Sequence, residues 1–151
     1  MKKHFKIIML SATIIVMLLA LCMCFCGKRT LKIQTLDGQI ITYQVERALT
    51  PSEQQRGLMN RTKLEPKTGM IFLFFPIRVA RMWMKNTLIP LDMVFFDRQG
   101  RVIGVHYNAI PHDETTISSI RPVAGVLEIN AGEAKKYRIE PGSVLDLTSV
   151  R

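Results

Sequence analysis

Past residue 26 this chain has no cysteine: all three, Cys22, Cys24 and Cys26, fall in one apolar segment. A disulfide framework and a Cys-based zinc site in anything folded downstream are thereby excluded. The familiar catalytic strings are missing too. There is no GxSxG, no P-loop, no dinucleotide GxGxxG and no HExxH. Aromatics are few, at 7%, and Trp83 is the only tryptophan. Nor is there any long Lys/Arg run, although Lys+Arg (21) outnumber Asp+Glu (12) and give a net charge of +9. The basic residues are scattered singly and no aromatic–basic RNA-binding motif accompanies them, so no nucleic-acid partner is expected.

What the chain does have begins at its N-terminus. Lys2, Lys3 and Lys6 precede an apolar run from Ile7 to Cys26, and no acid lies before residue 27. As a helix that run spans about 30 Å, the hydrocarbon thickness of a bilayer. The preceding lysines would hold the N-terminus on the cytoplasmic side, so the remainder is expected to be exported. Residues 1–26 read as a signal peptide or a signal anchor, and Ala20-Leu21-Cys22 is a passable cleavage site. The expected location is the cell membrane, single-pass, or a secreted or periplasmic form after cleavage. Residues 27–30 then form a linker and residues 31–151 one domain. Without the leader, 18 basic residues face 12 acidic ones, a surplus of +6. Such a surface favours anionic envelope components, although a solvated basic surface is the plainer account.

Asp37-Gly38 between the runs Leu31–Leu36 and Gln39–Glu46 predicts a hairpin with a two-residue turn. Ile41, Tyr43 and Val45 alternate with polar residues, one face core and one wet. Thr50, Pro51 and Glu53 form a capping box for a short helix that stops at Gly57, with Leu58 and Met59 beneath the sheet. Gly69–Phe75 is continuously apolar and reads as a strand buried on both faces, ending at Pro76. Extended segments follow at Arg81–Thr87 and Leu91–Phe96. Gly100, in a left-handed turn, leads into Arg101–Tyr107. Asn108–Ser119 is the longest expected loop. Val123–Ile129 is a strand, Asn130 is expected to cap a second helix holding Glu133, Lys135 and Lys136, and Val144–Leu147 is the last strand. The fold class is α+β and β-rich: a small, barrel-like, curved sheet of about seven short strands with two short helices. One hydrophobic N-terminal helix precedes it.

The strings RGLMNRTKLEPKTGMIFLFF, RMWMKNTLIPLDMVFFD, GRVIGV and PVAGVLEINAGEAKKYRIEPGSVL resemble the DUF192 (UPF0127) family of small bacterial and archaeal proteins. The likeness runs from about Leu31 to Leu147. It implies a compact β-rich fold, usually behind a signal sequence or anchor, and no established reaction.

Within Arg78–Asp97, apolar bulk surrounds a few polar groups, each of which needs a partner or a purpose. Trp83, Asn86, Thr87 and Asp92 are the candidate ligand-binding set. An amide, a hydroxyl and a carboxylate can together meet vicinal sugar hydroxyls, and the indole offers a stacking face. Asn86 and Thr87 building a turn before Pro90, with Asp92 pairing Arg81 or Lys85, is the commoner use of such residues. Met82 and Met84 would share a face on a strand, and paired thioethers suit Cu(I), with His106 or His112 completing the site. Gap-filling in a core is the alternative. His112, Asp113 and Glu114 are the weakest set, for a divalent metal or for acid–base hydrolysis, against a solvated loop. Arg56 and Arg61 read as surface charges paired with Glu53 and Glu65. The expected function is therefore a non-enzymatic, exported or membrane-anchored module of the cell envelope that binds a saccharide or polymer. A Cu(I)-binding protein and a hydrolase stand behind it. No cofactor is expected.

Overall fold

A computed structural model describes residues 28–151. The leader, the helix expected of it and residue 27 lie outside the described residues. Among those described, no helix is long and apolar enough to cross a membrane. The strands are β1 (Arg29–Gln34), β2 (Ile40–Ala48), β3 (Thr68–Arg78), β4 (Arg81–Met82), β5 (Leu91–Phe96), β6 (Val102–Ala109), β7 (Ile117–Ser118), β8 (Val123–Asn130) and β9 (Val144–Asp146). Helix α1 spans Pro51–Arg56, α2 spans Glu133–Lys136, and a 3-10 turn follows at Leu147–Ser149.

Seven strands form one sheet in the order β6-β5-β8-β3-β2-β1-β9, and β4 pairs with β7 beside it. Only β2 and β3 run parallel, because α1 carries the chain across between them. The sheet curls until its outer strands meet. Arg101 bridges Val144, Val102 N–H donates to Ser143 O at 2.8 Å, and Leu145 N–H donates to Gly100 O at 2.8 Å. This seam leaves no room at Gly100, which has φ +80° and where a Cβ would lie 2.1 Å from Leu145 O. Gly125 is equally tight, with Phe72 O 2.1 Å from any Cβ.

Strand alternation divides the apolar residues between two clusters. Ile71, Leu73, Val94, Leu127 and Ile129 join Tyr43, Val45 and Ala134 of α2 in one. Met70, Phe72, Phe74, Met93, Phe95 and Val126 face the other way and pack with Leu58 and Met84. Each fully buried side chain of this kind contributes about 1.5–3 kcal/mol from removal of its surface from water. In the first cluster Glu133 Oε1 accepts from Lys67 N–H at 3.0 Å, whereas Glu133 Oε2 and the Tyr43 hydroxyl have no partner among the described residues. Burial, and then the Glu133 charge, push the Tyr43 phenol well above its ordinary value.

Several expectations hold residue for residue. Thr50 Oγ1 accepts from Glu53 N–H while Glu53 accepts from Thr50 N–H, Pro51 opens α1, and Gly57 ends it. Ile41, Tyr43 and Val45 are buried. Others are corrected. The first hairpin turns through three residues, Leu36–Gly38, because Gly38 N–H donates to Thr35 O and Gly38 takes φ +80°. β3 continues past Pro76 to Arg78, and its pairing with β8 shifts between Leu73 and Arg78. The shift leaves Phe75 86% exposed, where the continuous apolar run had predicted burial. Arg81–Thr87 is extended only over Arg81–Met82, and a turn closed by Thr87 N–H to Met84 O occupies the rest. Asn130 does not cap α2. Its side-chain amide donates to Leu64 O and Glu65 O instead, and the residue before α2 is Gly132 in a left-handed conformation. Arg61 pairs with Glu46 at 2.7 and 2.6 Å rather than with Glu65, which takes Lys63.

Candidate functional site

A cleft of about 270 Å³ opens on the second face of the sheet. Its floor is Phe72 and Phe74 of β3 and Glu128 of β8. One wall is α1 and the turn after it, from Gln54 to Met59. The other is Arg78, Arg81, Met82, Trp83 and Thr87. The capping box sets the first wall in place. Gln54 then ties it down, donating to Leu73 O at 2.9 Å and accepting from Arg78 Nη2 at 2.9 Å. The Arg78 guanidinium lies 4.4 Å from the centre of the Phe74 ring, a cation–π contact at the cleft wall.

Glu128 is the chemically distinctive group. Strand alternation turns it to the same face as Val126, between Met70 of β3 and Met93 of β5 in register. It is 4% exposed, and no hydrogen bond to its carboxyl is present among the described residues. Burial among these neighbours raises its pKa from 4.5 to about 8. The group is therefore a neutral carboxylic acid at pH 7, a hydrogen-bond donor as well as an acceptor. The sequence reading missed it. The available signal was a single acid inside the otherwise apolar strand VAGVLEIN, a placement that demands a reason.

Of the residues singled out from sequence, Trp83 and Thr87 reach the cleft. Trp83 is 42% exposed, with Lys85 Nζ 5.5 Å from its ring, and Thr87 is buried. Asn86 sits at the exposed turn with φ +52°, and its backbone carbonyl accepts from Asn60 N–H. Asp92 lies in the interior. Its carboxylate accepts from Asn108 N–H at 2.8 Å and from Ala134 N–H at 3.0 Å, so it caps α2 from a distant strand. It pairs with neither Arg81 nor Lys85. Met82 lines the cleft while Met84 is sealed in the second cluster. His106 is exposed on β6, and His112 is exposed with φ +63°. Asp113 accepts from Thr115 N–H at 2.8 Å, and the Thr115 side-chain hydroxyl, followed by that amide, holds its carboxyl below the usual range. Glu114 lies 3.9 Å from Lys85 Nζ. Among the described residues no group of three or more His, Cys, Asp and Glu could hold a metal ion.

Among the described residues, a curled seven-strand sheet with two short helices and an amphiphilic cleft defines a small β-rich module. The chain belongs to the DUF192 family, described as "Uncharacterized ACR", whose model matches residues 32–147. Two solved structures share the fold. One is a Sinorhizobium meliloti 1021 protein described, provisionally, as a transcription regulator. It is 42% identical with a TM-score of 0.78, over 80% of this chain and 93% of that one. The other is a protein of unknown function from Novosphingobium aromaticivorans DSM 12444. It is 40% identical with a TM-score of 0.75, over 78% of this chain and 83% of that one. No curated protein matches the chain.

Proposed function

We propose that this protein is a non-enzymatic binding module of the cell envelope whose cleft takes a saccharide or a saccharide polymer. One observation carries the reading. A neutral carboxylic acid, Glu128, lines the cleft without a hydrogen-bond partner among the described residues, together with the exposed indole of Trp83 and with Thr87, whose hydroxyl donates to Lys85 O at 3.3 Å and can still accept. An aromatic face with a few convergent donors and acceptors suits a sugar ring, which presents C–H on its faces and hydroxyls at its edge. The set differs from the one expected from sequence. Glu128 replaces Asn86 and Asp92, while Trp83 and Thr87 stay.

Localisation in this proposal rests on the leader: Lys2, Lys3 and Lys6 before an apolar run at 7–26, a membrane contact with the N-terminus inside. Phe75, 86% exposed, shares a hollow with Arg98 and Arg151, an apolar and basic patch compatible with a nearby bilayer. Nothing about Met82 and Met84, or His112 and Asp113, adds support for copper binding or hydrolysis. The description of the Sinorhizobium relative would bring a nucleic-acid partner, and the scattered basic residues do not support one here.

The test is a panel of oligosaccharides titrated into the full chain, read by tryptophan fluorescence and by NMR. Chemical-shift changes confined to Trp83, Thr87 and Glu128 support the reading, and a panel without any binder sinks it. Protease added to cells with an opened envelope should reach the domain while sparing cytoplasmic proteins.

A further inference from the structure

We infer that the ligand of this cleft carries a carboxylate, an acidic saccharide of the uronic-acid class held between the Glu128 acid and the arginines of the two walls. The inference rests on the saccharide reading and narrows it. Arg56 lines the cleft from α1, Arg78 from β3 and Arg81 from β4, and Glu128 is the only acidic residue among the lining groups. Arg56 and Arg81 have no acidic partner within 4.0 Å among the described residues, and Arg78 is bonded to the neutral Gln54. The cleft is thus cationic, with a proton donor at its floor.

A sugar carboxylate complements both features. It can accept paired N–H bonds from a guanidinium and a short O–H bond from a neutral carboxylic acid, the strong charge-assisted class. Glu46 and Glu53 lie near Arg56 on its other side, so a neutral sugar would leave chiefly Arg78 and Arg81 without a counter-charge. The charged groups that line the cleft with Glu128 are Arg56, Arg78 and Arg81, and Glu46 and His106 stand in the same cross-strand row, one strand beyond Met70 and Met93. The cross-strand neighbours of Glu128 on β3 and β5 are Met70 and Met93, and the Asp92 carboxylate is engaged with the N–H groups of Asn108 and Ala134. Lys85 is drawn to Trp83 and Glu114.

Burial keeps Glu128 protonated up to about pH 8. Above that, two carboxylates would meet, and the preference for an acidic sugar should disappear. The experiment compares a galacturonic-acid trimer with the neutral galactose trimer on the full chain by isothermal titration calorimetry. The readout is the ratio of the two affinities, from which any unfolded fraction cancels. The expected ratio is about tenfold or more in favour of the acid at pH 6.5, falling towards one at pH 9. Glu128→Gln, a neutral donor of the same shape, should keep the preference and remove its pH dependence. Arg56→Gln with Arg81→Gln should abolish the preference, the acidic trimer losing about tenfold more affinity than the neutral one. Equal affinity for both sugars at pH 6.5 overturns the inference and leaves the saccharide reading standing. A preference whose pH dependence survives Glu128→Gln also overturns it. If neither trimer binds, both readings fall.

Discussion

Two buried carboxyls, on neighbouring strands, show how far the surroundings of a residue decide its chemistry. Asp92 accepts two backbone N–H groups, one of them from the first turn of α2, a helix that lacks a side-chain cap of its own. Asp92→Ala would orphan both donors inside the fold. The expected cost is about 2–4 kcal/mol, seen as a lower urea midpoint with an unchanged slope. Glu128 has no such donors among the described residues, and burial pushes its pKa to about 8. The folded pKa lies above the unfolded one, so the folded state holds the extra proton between them. The Glu128 contribution to stability should therefore be greatest below pH 4.5, fall as pH rises towards 8, and level off beyond, while depressed carboxyls such as Glu46 lose their own contribution as pH falls. The full span is on the order of 5 kcal/mol. Glu128→Gln should flatten that slope in denaturant melts taken across the range, and an unchanged slope would show that the acid is not its source.

At the scale of the element, α1 is legible because its signals are local. Thr50, Pro51, Glu53 and Gly57 lie within a few residues of one another, and each acts on backbone groups it can reach directly. Thr50→Ala should cost about 1 kcal/mol and speed hydrogen exchange at the Glu53 amide, which Thr50 Oγ1 now holds. Because α1 forms one wall of the cleft, the same change should weaken ligand binding. The stretch after Arg81 was less legible. Its apolar content suits a strand, yet Lys85 and Asn86 turn the chain. That turn parts Met82 from Met84 and puts Trp83 on the cleft. A turn of this kind depends on what the surrounding chain supplies, here the Asn60 N–H that meets Asn86 O and the Asp113 carbonyl that accepts from Met84 N–H. Neither partner can be found by reading along the stretch itself.

For the molecule as a whole, the closing of the curled sheet between β6 and β9 is the organising event. The turn at Gly100 was expected, but its role at the seam was not, because β9 lies more than forty residues downstream. Gly100→Ala would place a Cβ 2.1 Å from Leu145 O at a φ of +80°. The expected result is a loss of about 2 kcal/mol or more, with faster exchange at the Val102 and Leu145 amides ahead of global unfolding. A variant with wild-type exchange at those amides would mean that the seam contributes little.

Composition and local pattern determined the β-rich class, the alternation that buries Ile41, Tyr43 and Val45, and the capped first helix, since each is settled by groups a few bonds apart. Only the tertiary structure decided which acid is neutral, which arginines line the cleft with it, and which polar residues of Arg78–Asp97 face solvent or the interior. Desolvation and hydrogen bonding sum over whatever the fold brings near: Met70 and Met93 around Glu128, and Ala134, forty-two residues on, for Asp92. Those neighbours come from separate strands and a distant helix, so the chemistry of the cleft exists only once the sheet has curled.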